Sequence, residues 1–433
     1  MTFGSIVDRN GTARGAISDG VISSSAMSCE CLKPRDGADV EEAVRWVLSG
    51  GKTLEIVGHG TKRAIGCPLQ TDASLDMSGL AGITLYEPEE LVLSAKAGTP
   101  LADIEDLLAS KGQHLPFEPI DYGPLFGDAA GGGTVGGALA ANVSGPRRIR
   151  AGAARDHFLG FVAVSGRGEI FRSGGRVVKN VTGYDLCKLM AGSWGTLAAL
   201  TEVTVKVLPR PPAEATLVAF GLDDASATAA MAQAVGSPCE VSGAAHLPDY
   251  VASRFDGLVR RAEAATAVRI EGIVESIAEA IAVLRDASPP FASGKVLDEA
   301  ESRALWRAVR DVRPFWPGSE AGDRALWRVS TAPSKGFEIA RRLSPAAQLF
   351  YDWAGGLLWI APPEGADGRA GEIRAAVAAC GGHATLVRAP AAMRAAIGAF
   401  APEAGALAAL TRRVKESFDP QGVMNPGRMW AGV

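Results

Sequence analysis

Two glycine-rich segments carry the residue types most suited to binding chemistry. Ile56-Val57-Gly58-His59-Gly60-Thr61-Lys62 places a glycine turn directly after an apolar run. Glycine lets the backbone approach a ligand closely, and successive N–H groups can form a nest for an anion such as a pyrophosphate. The same pattern also suits a plain strand-exit turn. The second segment, Gly131-Gly132-Gly133-Thr134-Val135-Gly136-Gly137, contains Gly-x-Gly-x-x-Gly, and Asp156 follows Gly136 by 20 residues. A dinucleotide fingerprint needs a strand in front of it, and Pro124-Leu125-Phe126-Gly127-Asp128 does not read as one. A phosphate-binding P-loop ending in Gly51-Lys52-Thr53 is excluded, because Trp46 stands where its first glycine is required.

Other reactive residues are sparse. The six cysteines (Cys29, Cys31, Cys67, Cys187, Cys239 and Cys380) contain no Cys-x-x-Cys, so neither a zinc ribbon nor a ferredoxin-like cluster has its ligand spacing, and reduced thiols are expected. In the second half, His246 and His383 stand far apart with no acidic cluster, and no metal site is expected. Arg148, Arg155 and Arg428 are candidate cations, each with a solvated salt bridge as the plainer alternative. Trp306, Trp316, Trp327, Trp353 and Trp359 suit core packing better than a substrate wall.

Periodicity supplies the elements that position these groups. Helical spacing over residues 39–49 ends at Gly50-Gly51, and a strand over residues 53–57 leads into the first glycine turn. Alternation over residues 91–97 predicts a strand, after which Thr99-Pro100 should cap a helix reaching Leu108. Residues 158–164 and 169–172 form a hairpin, and residues 203–207 a further strand. Pro209-Arg210-Pro211-Pro212 marks a domain boundary. Beyond it, strands are expected at residues 216–220, 268–270, 325–330, 348–353 and 357–360, with helices at 273–284, 303–311, 373–379 and 402–417.

A chain of 433 residues has room for two or three domains and a large core. Its net charge of −4 argues against a nucleic-acid binder. No apolar run approaches the ~18 residues needed to span a bilayer. Residues 1–28 lack the apolar stretch of an export signal and read as a flexible tail, with Met27 as an alternative start.

Taken in order, the motifs resemble the FAD domain of the vanillyl-alcohol oxidase and p-cresol methylhydroxylase family. They are Gly58-His59-Gly60-Thr61-Lys62, Glu118-Pro119, Thr134-Val135-Gly136-Gly137, Asn142-Val143-Ser144-Gly145, residues 152–156, residues 179–186, Gly192-Ser193-Trp194-Gly195-Thr196-Leu197 and Asn425-Pro426-Gly427-Arg428. Within that family the chain is similar to the FAD-binding subunits of bacterial glycolate oxidases at Leu115-Pro116-Phe117-Glu118-Pro119, Ser144-Gly145-Pro146-Arg147-Arg148 and Phe418-Asp419-Pro420. The resemblance implies an α+β chain. After the tail of residues 1–28 it has a two-subdomain FAD domain at 29–211, a smaller α+β domain at 212–400, and a helix and tail at 401–433 that return to the FAD domain.

It also implies the cofactor, FAD, and the residues around it: Val57, Gly58, His59, Gly60, Thr61, Lys62, Glu118, Pro119, Gly133, Thr134, Gly136, Gly137, Asn142, Ser144, Gly145, Arg148, Gly152, Ala153, Arg155, Asp156 and Arg428. Covalent members attach the flavin through a histidine directly after the last glycine of the first loop. Thr61 stands there in this chain, so noncovalent FAD is expected. No catalytic residue is singled out. The implied function is glycolate oxidation to glyoxylate, or that of a similar 2-hydroxy acid, with electrons passing to a second FAD subunit and an iron-sulfur subunit. The implied place is the cytoplasm, peripheral at the inner face of the membrane. The alternative is an assembly subunit whose FAD is structural or absent.

Overall fold

The computed structural model describes residues 30–175, 184–255, 258 and 263–433. The tail expected at residues 1–28 and residues 179–183 of the sixth motif group lie outside the described residues.

The first half builds two sheets. A parallel sheet pairs Glu30–Leu32 with Ala73–Asp76, and Ala73–Asp76 with Leu54–Val57. The helix Gly37–Gly50 covers it, burying Val40, Val44 and Val47 at helical spacing. Asp36 caps this helix and Gly51, at φ 59°, ends it. A five-stranded antiparallel sheet runs in the order Ile83–Glu87, Val92–Lys96, Ala198–Lys206, Phe158–Ser165, Ile170–Gly174. The predicted hairpin is its outer pair.

The helix after residue 97 begins one position later than its sequence signals suggest. It spans Leu101–Ala109 with Pro100 in the cap position. Thr99 does not cap it, because its hydroxyl donates to the Lys96 carbonyl at 2.7 Å and so closes the strand exit instead.

The second half is a mixed unit around an antiparallel sheet of eight strands. Their order is Lys295–Leu297, Ala213–Phe220, Ala265–Gly272, Val241–Leu247, Gln348–Asp352, Leu357–Ala361, Leu326–Ser330, His383–Arg388. Helices Val274–Ala287, Glu299–Arg310 and Ala370–Cys380 fall on the predicted apolar stripes. Trp306, Trp327, Trp353 and Trp359 are buried, as expected of packing residues.

The chain then returns. Helix Gly405–Phe418 leads to a tail that extends the parallel sheet, with Leu54 N–H donating to Val423 and Asn425 N–H to Leu54. A buried pair anchors this return. Lys415 Nζ donates to Asp419 and to the carbonyls of Thr196 and Met424, while Asp419 accepts the N–H groups of Val423 and Met424.

Glu118 joins the two halves. Its carboxylate accepts four hydrogen bonds, two from Arg147 (N–H and Nη1, both 2.7 Å) and two from Arg269 (Nη1 and Nη2, both 2.9 Å). Arg147 also pairs with Glu271, and Arg269 lies over the Trp306 ring. Burial opposes the charge on Glu118, but the two guanidinium groups outweigh it and hold the carboxyl at about 2.

Because this value lies below the ordinary 4.5, the stabilisation is present above that pH and is lost as pH falls towards about 2. Replacing Glu118 with glutamine should cost about 3–5 kcal/mol, since it leaves the buried Arg269 without its carboxylate partner and Arg147 with Glu271 alone. Urea unfolding at pH 7 checks the loss, and a pH series checks that the variant lacks this part of the acid sensitivity.

Candidate functional site

Two neighbouring clefts lie where these elements meet. The first, about 780 Å³, is lined by the turn after Leu54–Val57, by Thr134, Gly136 and Gly137, and by Trp194, Asn425 and Arg428. The second, about 1730 Å³, opens between the two halves and shares Ala141 and Trp194 with the first.

The sequence-predicted residues divide between them. Val57, Gly58, His59, Gly60, Thr61, Lys62, Thr134, Gly136, Gly137 and Arg428 line the first cleft. Asn142, Ser144, Gly145, Arg148 and Arg155 line the second. Six others line neither. Glu118 is committed to Arg147 and Arg269, and Pro119 follows it. Gly133 offers its carbonyl to Leu101 N–H. Asp156 accepts from Ala153 N–H just after Gly152, so this acid caps a local turn.

Both glycine segments keep backbone donors unspent, the first at the cleft without interruption and the second only in part. Among the described residues, the N–H groups of His59, Gly60, Thr61 and Lys62 donate to no backbone or side-chain acceptor, which leaves four consecutive donors at the cleft. In the second segment Gly131 N–H is spent on Asp121, Val135 N–H on Thr99, Gly136 N–H on Ala97 and Gly137 N–H on Thr134 Oγ1, while among the described residues the N–H groups of Gly132, Gly133 and Thr134 meet no acceptor. Gly136 is there for packing, because a Cβ would sit 2.7 Å from both Cβ and O of Ala97. Gly60 differs. It has φ +82° and open space where a Cβ would go.

Charge completes the cradle. Burial pushes the Lys62 ammonium down to about 8 and the Arg428 guanidinium down to about 10, and no described carboxylate lies within ion-pair distance of either. Arg428 Nη2 donates to the Lys62 carbonyl at 2.6 Å, fastening the tail to the glycine loop. Asn425 grips from the other side, accepting from Ile56 N–H at 2.8 Å and donating to the Trp194 carbonyl at 2.7 Å. His59 Nδ1 lies 3.1 Å from the Gly132 carbonyl, bridging the two segments. Free N–H donors beside partly desolvated cations suit a pyrophosphate dianion, so these residues fit the FAD that the motifs imply.

Beside the predicted Arg148, the second cleft holds groups that no sequence pattern assigned to a site. Tyr122, Arg148, Arg328, Asp352 and His383 all line it. Arg148 and Arg328 flank one ring, their Cζ atoms 4.5 and 5.0 Å from the centroid of Trp353. Neither has a carboxylate partner among the described residues, and burial lowers both from the ordinary arginine value. Trp353 Nε1 donates to the Gly145 carbonyl at 3.0 Å, fixing the ring against the Asn142–Gly145 loop. Asp352 is 2% exposed, and burial pushes its carboxyl up to about 7. Only its Oδ1 is engaged by a described donor, the Trp353 N–H at 2.7 Å. Among the described residues, no group of three or more His, Cys, Asp or Glu side chains is arranged to hold a metal ion.

A flavoprotein of the FAD binding domain family is what this fold and cradle define, and that family matches residues 28–174. Glycolate oxidase subunit GlcE of Escherichia coli (strain K12) is 35% identical over 394 residues, covering 90% of this chain and 96% of that protein. The chain therefore belongs to the family of FAD-binding glycolate oxidase subunits, within the vanillyl-alcohol oxidase and p-cresol methylhydroxylase family. Glycolate oxidase subunit GlcD of Bacillus subtilis (strain 168) is 33% identical over 164 residues, 38% of this chain and 33% of that one. The solved 4-ethylphenol oxidase from Gulosibacter chungangensis shares the fold, with a TM-score of 0.66 over 93% of this chain and 89% of that one at 15% identity.

Two outcomes test the cradle. Gly60→Ala should fold at a cost of about 1 kcal/mol for the positive φ and lose flavin affinity, whereas Gly136→Val should unfold the domain by forcing the helix off Ala97. Flavin content and thermal unfolding of the two purified variants separate these effects. A bound dianion favours charged Lys62, so FAD affinity should be flat below pH 8 and fall by up to about tenfold per unit above it. Fluorescence titration of the apoprotein between pH 6 and 9.5 should show that fall, and Lys62→Met should remove it.

Proposed function

We propose that this chain binds FAD noncovalently and oxidises a small 2-hydroxy acid, glycolate or a close relative, in the second cleft. The observation that carries the reading is the pair of guanidinium groups, Arg148 and Arg328, that face this cleft without an anionic partner among the described residues. Two unpaired cations in a partly desolvated cavity are costly unless an anion arrives, and a substrate carboxylate is such an anion. The first cleft and this cavity share Ala141 and Trp194 in their walls, so an extended cofactor held in the first would end beside the second. The His59–Lys62 donors and Lys62 would hold its pyrophosphate. Thr61 at the attachment position supports noncovalent binding.

The flavin, when bound, supplies a two-electron acceptor. The residues of the chain do the rest: Arg148 and Arg328 orient the carboxylate, Trp353 keeps both guanidiniums in place, and Tyr122 offers a hydroxyl to the same space. The electrons then have to leave. We assign that task to partner subunits, a second FAD subunit and an iron-sulfur subunit, in a cytoplasmic complex at most peripheral to the membrane. The similarity to subunits named GlcE and GlcD supports a multi-subunit assembly. No helix among the described residues is long and apolar enough to cross a membrane.

Anaerobic addition of glycolate to the purified flavin-loaded chain should bleach the visible flavin absorbance. Arg328→Gln should raise the glycolate concentration for half-bleaching by about 10- to 100-fold, the worth of a charged hydrogen bond. A chain that binds FAD but never bleaches, alone or with partners, would instead be an assembly subunit.

A further inference from the structure

We propose that Asp352 takes the hydroxyl proton when a 2-hydroxy acid is oxidised in the second cleft, a role that rests on the reading of that cleft as the substrate site. Oxidation of the alcohol carbon breaks two bonds. The C–H bond gives its electron pair, as hydride, to the oxidised flavin. The O–H bond gives its proton to the Asp352 carboxylate, and the carbon–oxygen bond becomes a carbonyl. The acid then returns its proton to water, and charge and atoms balance.

Several observations converge on this carboxylate. It lines the cavity that also presents Arg148 and Arg328, it is 2% exposed, and one of its oxygens accepts no hydrogen bond from a described residue. It ends the strand Gln348–Asp352 and precedes two residues held at positive φ, Trp353 (53°) and Ala354 (55°). Such strain persists only where surrounding contacts enforce it, and here it turns the chain back at the cavity wall. Burial brings the carboxyl into the range in which proton transfer at neutral pH is efficient.

The groups around Asp352 favour it over the alternative. Glu118 acts on it to raise its proton affinity, while Arg269 and Arg328 lower it. His246, on the neighbouring strand, is turned to Thr266 and Asp224. His383 also lines the cavity, but burial, and after it Arg328 and Arg148, disfavour its protonation. A proton moving to His383 would add a cation beside two others. A proton moving to Asp352 removes an anion from a buried site. When the substrate carboxylate settles on the arginines it offsets their field, so Asp352 becomes a stronger base once substrate is in place.

Calorimetric titration of the flavin-loaded chain with oxamate, an unreactive carboxylate, tests this at pH 7 in two buffers of unequal protonation enthalpy. Wild-type protein should take up a fraction of a proton per oxamate. Asp352→Asn, which keeps the acceptor for Trp353 N–H, should bind oxamate within about threefold yet take up none, and His383→Gln should leave the uptake intact. With glycolate and an artificial acceptor, Asp352→Asn should lower kcat by about 10²- to 10⁴-fold, leave KM little changed and erase the acidic limb of the pH profile.

Proton uptake that persists in Asp352→Asn, or is absent from the wild type, overturns the role of Asp352 and leaves the substrate site standing. Oxamate binding that is absent, or indifferent to Arg328→Gln, overturns the substrate site and the role of Asp352 together.

Discussion

One buried carboxylate holds the two halves of this protein in register. Glu118 takes hydrogen bonds from the FAD half through Arg147 and from the eight-stranded sheet through Arg269, and Glu271 completes the array by pairing with Arg147. Such a network is weak evidence for net stability, because desolvating four charges costs about as much as their attraction returns. Its value is geometric. The N–H of Arg147 is tied to Glu118, and the next residue is Arg148, so the clamp that fixes the sheet also fixes one cation of the cavity. Glu118 itself sits at φ 43°, a conformation that this over-determined set of bonds can enforce.

The same economy of contacts shapes the cofactor side. Asn425, Lys415 and Asp419 all belong to the returning tail: Asn425 and Lys415 satisfy backbone groups of the FAD half, and Asp419 holds the tail's own Val423 and Met424 N–H groups. What they leave free is as informative as what they bond. The turn at His59–Lys62 keeps its N–H groups unspent, and Lys62, Arg428, Arg148 and Arg328 keep their charges without a described carboxylate partner. Positive potential thus runs from the glycine loop to the second cleft, where the proposed ligands carry a pyrophosphate and a carboxylate.

Much of the FAD half was legible in the sequence, because its motifs are local. A glycine turn after a strand, a capped helix and a hairpin announce themselves by short-range pattern. Even so, pattern did not show which donors of the second glycine segment are spent, on Asp121, Thr99, Ala97 and Thr134, and which stay free, at Gly132, Gly133 and Thr134. The central strand Val241–Leu247 went unread because all seven of its residues are buried, which removes the alternation that marks a strand. Asp352, Arg328, His383 and Tyr122 were invisible for a different reason. They lie far apart in the chain and meet only after the eight-stranded sheet docks on the FAD half. The one available signal was that polar residues interrupt strands otherwise built of apolar ones, as Arg328 does in Leu326–Ser330 and Asp352 does in Gln348–Asp352.

Those interruptions bear on how a hydroxy acid can be handled by side chains alone. A guanidinium fork matches a carboxylate in shape as well as charge, and two of them braced on Trp353 can hold it in a fixed orientation. Orientation brings the alcohol carbon and its hydroxyl to defined places, which is where most of a positioning gain arises. The cations also create a difficulty, since they resist any further positive charge nearby. A neutral imidazole accepting a proton would meet that resistance in full, whereas a buried carboxylate accepting one relieves its own desolvation cost. An acid at position 352, buried in the wall of the cleft that the arginines also line, suits that asymmetry.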